Sequence, residues 1–367
     1  MPMSRVRPLM ALPLFFLLAT TCATSAPRSA HAPQQLPAVT PETYVSTGIA
    51  DEELDSLATW PTPDGMTWLI ATAKSGHRLV VFDADTGAHL RDVGGKGTAL
   101  GQFKRPNGIA VLGNHLFVVE RDNRRVQVFA LPDFRPLGSF GEGELRAPYG
   151  LWLNTASLPG NNGELDVYVT DNFMEGARFD VVPPLEQLDK RVRRYRLRFG
   201  ADSSFSADAM GSFGDTSEAN ALRIVESIAG DPSHDRLLIA DEYQPKSTLR
   251  EYTLAGRATG RQIPENTFSF EAEGVALWSC RRGKGYWVAV DQLSPLTIFH
   301  FFDRATLARV GSITGRTVAA TDGISLLTTP TKRFPKGALF AVDRDVSVAA
   351  FDLRDISAAL KFDRSCL

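Results

Sequence analysis

Two sets of residues recur at matching places along this chain and carry groups able to hold an ion or an anion. The first, Asp55, Asn107, Tyr149, Glu226, Glu273 and Asp322, is polar or phenolic, and each member opens a short apolar run. The second, Lys74, Arg121, Asp171, Asp241, Asp291 and Asp343, is charged throughout and closes the following run, with Glu120 and Glu242 beside two of its members. Carboxylates gathered beside one another repel unless a cation lies between them. An all-oxygen donor set favours a hard ion, above all Ca²⁺, which takes about six to eight oxygens. For the second set a structural role stays open, because an acid after a strand also ties the next turn by accepting from its backbone. The six histidines are scattered and the three cysteines lie far apart, which argues against zinc. Neither a Gly-x-Ser-x-Gly elbow nor a phosphate-binding Gly-rich loop occurs.

The elements that must position these residues repeat at a spacing of roughly 40 to 50 residues, the period of a propeller blade. The clearest copy runs from Gly101-Gln102-Phe103 through Pro106-Asn107-Gly108-Ile109 and Leu116-Phe117-Val118-Val119 to Arg125-Val126-Gln127-Val128-Phe129, and it resembles an NHL repeat. Short apolar or alternating runs punctuated by Gly, Pro, Asn and Asp are strands and tight turns. The predicted fold is all-β: a six-bladed β-propeller of four-stranded blades around a central channel, in one domain over residues 45–358. In a blade the first strand runs along the channel and the second returns, so both residue sets face one mouth. Pro183-Pro184 makes 172–190 a loop that could overhang this mouth, and 200–222, rich in Ser, Ala and Asp, reads as a long connection.

A formal net charge of −2 with 43% hydrophobic residues describes an ordinary globular protein and gives no reason to expect a nucleic-acid partner. Arg5 and Arg7 precede an apolar run from Leu9 to Ala19, too short to span a bilayer, so residues 1–32 read as a signal peptide and leader. Periplasmic or extracellular export is expected, with lipid anchoring through Cys22 as an open alternative. Residues 33–44 read as a flexible linker and 359–367 as a tail. Cys280 and Cys366 either pair in an oxidising compartment or stay free thiols.

At the same positions the chain resembles the β-propeller phytases, from about Val45 to Ile356. The resemblance is carried by Asp55-Ser56-Leu57-Ala58-Thr59-Trp60, Lys74-Ser75-Gly76, Glu120-Arg121-Asp122, Tyr149-Gly150-Leu151-Trp152, Glu226 to Asp231, Ala240-Asp241-Glu242, Glu273-Gly274-Val275-Ala276, Thr321-Asp322-Gly323-Ile324 and Phe334 to Phe340. It implies Ca²⁺-dependent release of phosphate from myo-inositol hexakisphosphate or a related small anionic ester, by a phosphoric monoester hydrolase expected to be a monomer. It assigns catalytic roles to Lys74, Arg121, Tyr149 and Glu226, and metal ligation to Asp55, Glu226, Asp241, Glu242, Glu273 and Asp322. Three departures stand out: Ser56 and Ala110 replace acidic ligands, and Asp171 stands where the family places a lysine. Two other readings remain: an inactive NHL-type propeller that binds a partner, and a propeller lactonase or esterase using Glu273, Asn107 and Asp322.

Overall fold

The computed structural model describes residues 36–156, 163–200 and 204–367. The leader, its cleavage point and Cys22 lie outside the described residues. Leu36–Leu367 form one compact unit. As predicted, it is an all-β propeller of six blades built from antiparallel strands.

Blade one comprises Leu54–Pro61, Thr67–Ala73, Arg78–Asp83 and His89–Gly94, and blade two Pro106–Leu112, His115–Glu120, Arg125–Ala130 and Arg135–Phe140. Blade three is Pro148–Asn154, Leu165–Asp171, Val192–Phe199 and Phe205–Phe213, and blade four Val225–Asp231, Arg236–Asp241, Thr248–Tyr252 and Ala258–Gln262. Blade five is Ala272–Ser279, Gly285–Asp291, Ile298–Asp303 and Arg309–Thr314, and blade six Ile324–Leu327, Ala338–Asp343 and Ser347–Asp352. The innermost strands touch in this order and the sixth returns to the first, which closes the ring.

Closure needs the N-terminal segment. Tyr44–Val45 supplies the outermost strand of blade six, and Ala38–Val39 adds a parallel fifth strand to blade five. Between them the Glu42 carboxylate accepts from the backbone N–H groups of Arg316, Thr317 and Val318. The predicted flexible linker is therefore corrected: Ala38–Val39 and Tyr44 are paired in the sheets, because an unpaired blade edge offers them hydrogen bonds. The supposed connection 200–222 is corrected too. Phe205–Phe213 is the outer strand of blade three, and it escapes an apolar pattern because it is largely exposed.

The core is six wedges, one between each pair of neighbouring blades. Second strands have both faces covered, so they read as continuous apolar runs such as Leu237-Leu238-Ile239-Ala240. Among the described residues no helix is long and apolar enough to cross a membrane.

The C-terminal helix Leu353–Leu360 packs Ile356 against the wedge between blades five and six. Beyond it Phe362 stacks on Tyr286 at 3.7 Å, and Cys366 is disulfide-bonded to Cys280 across 86 residues. Closing so long a loop restricts the unfolded chain, so Cys366→Ser should lower unfolding stability by about 2–4 kcal/mol. Denaturant titration of the oxidised wild type and the variant checks this; equal midpoints would show that the tail is held by packing alone.

Candidate functional site

The mouth is built by a device repeated in every blade. In blades one to five the inner strand bulges, with register shifts between Leu54 and Leu57, Pro106 and Ile109, Pro148 and Leu151, Val225 and Ile228, and Ala272 and Val275. Each bulge lifts a polar residue and the small residue after it out of pairing: Asp55-Ser56, Asn107-Gly108, Tyr149-Gly150, Glu226-Ser227 and Glu273-Gly274. Asp322-Gly323 takes the same place in blade six. The small residue lets the next blade come close. A Cβ on Gly150 would lie 2.3 Å from the Glu226 carbonyl oxygen, and one on Gly323 would lie 2.3 Å from that of Asp55.

The second strands end in a backbone bond that repeats six times. The residue just past each strand donates its N–H to a carbonyl shortly upstream of the same blade's inner strand: Lys74 to Glu53, Arg121 to Arg105, Asn172 to Ala147, Glu242 to Ile224, Gln292 to Glu271 and Arg344 to Ala319, all at 2.8–3.1 Å. Side chains alternate along extended chain. In blades one to five the last strand residue therefore points away from the residue that follows it, whereas in blade six Arg344 and Asp345 turn with φ of 50° and 60°, and Arg344 bonds back to Asp343.

That last residue is an acid in five blades, and its work is structural. Glu120 accepts from Lys104 N–H, Asp171 from Ala147 N–H, Asp241 from Ile224 N–H, Asp291 from Ser269 N–H and Asp343 from Ala319 N–H, each tying down the loop that leads into its inner strand. Arg125 and Arg250, on third strands, complete ion pairs with Glu120 and Asp241 at 2.6 and 2.9 Å. Asp241 is thereby corrected from metal ligand to turn anchor. Asp171 likewise is no substitute for a mouth lysine, since the mouth position in blade three is Asn172. Asp231, the end of the Glu226 motif, sits at the far end of its strand, where Arg304 donates to it from Nε and Nη2, each at 2.6 Å.

Asp55, Lys74, Tyr149, Glu226, Glu242, Glu273 and Asp322 come together at the mouth. Glu226, Glu242 and Glu273 can each place a carboxylate oxygen within 4.8 Å of the others. Lys74 Nζ lies 2.9 Å from Asp322 Oδ2. Burial works against its charge, but Asp55 and Asp322 raise its pKa above the ordinary value. Burial, then the other acids, pushes Asp55 up to about 7, while burial and then Asp55 push Glu226 up to about 8. Glu242 and Glu273 rise well above the carboxylate range through burial and then Glu226. Tyr149 hydrogen-bonds Glu226, and its phenol is raised first by burial. Arg121 stands apart on the rim, with its Nε 2.8 Å from Asp122 Oδ1.

Two residues that were not singled out in the sequence join the site. Gln292 donates its side-chain amide to Asp322, and Asp345, beside Asp322, is pushed up to about 6, chiefly by burial. Gln292 lies one residue past its second strand, where the repeated backbone bond marks it, and Asp345 lies two residues past, on the turn after Arg344.

The donors suit a hard cation. Asp55 Oδ2, Glu242 Oε1 and both amide atoms of Asn107 are buried without a hydrogen-bond partner, and every candidate ligand atom is oxygen. Residues 103–129 match the NHL repeat. That segment is the entry loop and the first three strands of blade two. No curated protein matches the sequence. Among solved structures the chain is similar to Kuenenia stuttgartiensis hydrazine synthase, at 14% identity over 87% of this chain and 82% of that one, with a TM-score of 0.46. It is also similar to a catalytically inactive virginiamycin B lyase from Staphylococcus aureus with quinupristin, at 9% identity over 84% and 87%, with a TM-score of 0.43.

Two adjacent acids should separate structure from site. Asp241→Ala strands the buried Arg250 guanidinium and should cost about 3–5 kcal/mol of stability. Glu242→Gln removes one of the mutually repelling acids, so it should leave metal-free stability unchanged or higher while abolishing stabilisation by calcium. Thermal melts of both variants, in chelator and in millimolar calcium, read this out, and a Glu242→Gln protein still stabilised by calcium as strongly as wild type would remove it from the ligand set.

The raised values also set a pH dependence. Asp55 and Glu226 favour the folded chain while protonated, and that stability is lost as pH rises from the unfolded carboxyl value of roughly 4 through about 7 and 8. In chelator the melting temperature should fall between pH 5 and pH 9, over and above any change in a variant carrying Asp55→Asn and Glu226→Gln. A cation held by these acids would need them deprotonated, so any stabilisation by calcium should grow over the same window. Melts at pH 5, 7 and 9 test both signs.

Proposed function

We propose that this chain is a calcium-dependent phosphomonoester hydrolase of the β-propeller phytase kind, acting at the mouth on myo-inositol hexakisphosphate or a related ester. The supporting observation is the Glu226, Glu242 and Glu273 triad with its unpartnered oxygen, set beside a buried lysine. Glu226, Glu242 and Glu273, with Asp55 and Asp322 alongside, would hold calcium, which when bound lowers the pKa of a water and neutralises phosphate oxygens.

The chain's own groups supply the rest. Lys74 is kept charged by Asp55 and Asp322 and offers its ammonium to a phosphate oxygen once the acids are shared with a cation. Tyr149 keeps its proton, because burial raises its pKa, so it acts as a hydrogen-bond donor, to Glu226 in the free protein and to a phosphate oxygen in the complex. Arg121, half-exposed on the rim, meets the outer part of the substrate. An exported monomer with a small anionic ester as its partner, and no nucleic acid, belongs to the same reading.

The NHL match over 103–129 favours a second reading, an inactive propeller that binds a partner at the same mouth. The unpartnered Asn107 amide favours a third, lactone or ester hydrolysis over a metal held by Glu273, Asn107 and Asp322.

Purified protein should release phosphate from myo-inositol hexakisphosphate only with calcium, and Glu273→Gln should lower the rate about a hundredfold or more. No release, together with melting indifferent to calcium and chelator, would sink the hydrolase and leave the binding module. A lactone screen run alongside decides the third reading.

A further inference from the structure

The outer strands of blades two and three flank a groove of about 330 Å³ that shares no residue with the mouth. Phe140 ends the outer strand of blade two, Tyr195 sits on the third strand of blade three, and Phe205 opens the outer strand beside it. All three line the groove. Phe140 is inclined at 61° to Tyr195 and at 81° to Phe205, with ring centroids 5.0 and 6.3 Å away. Rings so inclined turn their electron-rich faces in different directions, as in the cages that hold alkylammonium heads.

Charge points the same way. Glu142 and Glu144, exposed on the loop that joins the two blades, complete a lining that contains no Lys, Arg or His. Glu142 accepts from Ser139 Oγ through one oxygen, and among the described residues neither glutamate has an ion-pair partner. Arg193, whose charge reaches the Tyr195 phenol, is held by Asp171 at 3.5 Å. Burial and then Glu144 raise the pKa of that phenol, so Tyr195 keeps its proton and the charge of the groove is that of the glutamates.

The floor carries an unsatisfied group. Tyr195 is 3% exposed, and its hydroxyl is directed toward Glu144 without closing a hydrogen bond. Buried hydroxyls are ordinarily satisfied. A Cβ on Gly141 would lie 3.3 Å from this one, so the glycine keeps the space beside it open. A hard metal ion seeks about six oxygens or more, whereas the groove offers two carboxylates between walls of aromatic carbon. An anion would meet two like charges with no cation to offset them.

We infer that this groove binds a small organic cation, its alkylammonium head against Phe140, Tyr195 and Phe205, its charge shared with Glu142 and Glu144, and a neighbouring polar group received by Tyr195 Oη. The site stands apart from the hydrolase reading, since the two have no residue in common.

Choline and the purified protein test this by calorimetry. Choline should bind about tenfold more tightly than its neutral isostere, in which tert-butyl replaces trimethylammonium. Glu142→Gln together with Glu144→Gln, both exposed and so without effect on the melting temperature, should abolish that preference. Phe205→Leu keeps apolar bulk and should weaken choline several-fold while leaving the isostere unchanged. Tyr195→Phe should weaken choline several-fold and leave tetramethylammonium, which has no hydroxyl, unaffected. Sedimentation with phosphatidylcholine vesicles, competed by choline, would support the site with a lipid headgroup as its cation, and choline binding without sedimentation would support it with a free solute. Equal affinity for choline and the isostere, no binding of either cation at millimolar concentration, or a preference that survives the glutamate changes would each overturn it.

Discussion

Six inner strands reach the channel closely enough for their side chains to meet because each mouth residue is followed by glycine or serine: Ser56, Gly108, Gly150, Ser227, Gly274 and Gly323. The carbonyl oxygen of the next blade fills the space a larger side chain would need, and Gly274 and Gly323 donate N–H bonds into that contact at 3.0 and 3.1 Å. Convergence has an electrostatic consequence. Two carboxylates no more than 4.8 Å apart repel by about 3–4 kcal/mol at an effective dielectric near 20. Three such pairs approach the whole stability of a domain. The triad therefore holds protons or a cation, and the raised carboxyl values and the unpartnered oxygens are two expressions of that one constraint.

The same strands separate stability from chemistry by one residue. Asp241 and Glu242 are neighbours, yet the first is fixed to Arg250 and two backbone N–H groups while the second faces Glu226 and Glu273. Extended backbone alternates its side chains, so a blade can anchor its loop with one acid and present the next to the channel. Blade one departs from this scheme. Ala73 ends its second strand, and the acid has moved to Glu52, which binds Arg78 from the loop before the inner strand.

The fold was legible because blade period, apolar second strands and turn residues all agreed. The first set of mouth residues was legible because Asp55, Glu226, Glu273 and Asp322 open equivalent strands. The second set was misread by one or two positions, since neither composition nor period reveals which residue ends a strand. Asp171, Asp241, Asp291 and Asp343 looked like the set to follow, whereas Glu242 and Gln292, one residue on, and Asp345, two on, meet the acids, and Asn172 accepts from Val225 N–H of the next blade. The edge strand Phe205–Phe213 was lost for the opposite reason: an outer strand buries little, so it keeps no apolar signature.

A ring of nearly equivalent blades has no active side until its sequence breaks the equivalence. The backbone bond that ends each second strand is the same six times, so it cannot by itself confer chemistry. What differs is the residue that it presents. Lys74 on blade one faces Asp322 of blade six and Glu226 of blade four, and there an anion and its neutralising cation can lie side by side. The NHL pattern of blade two accounts for the scaffold, because its buried Glu120, Arg125 and Gln127 network lies away from the mouth. Function on this fold is to be sought where a blade departs from that pattern, as at Lys74 and Glu242, and less where it conforms.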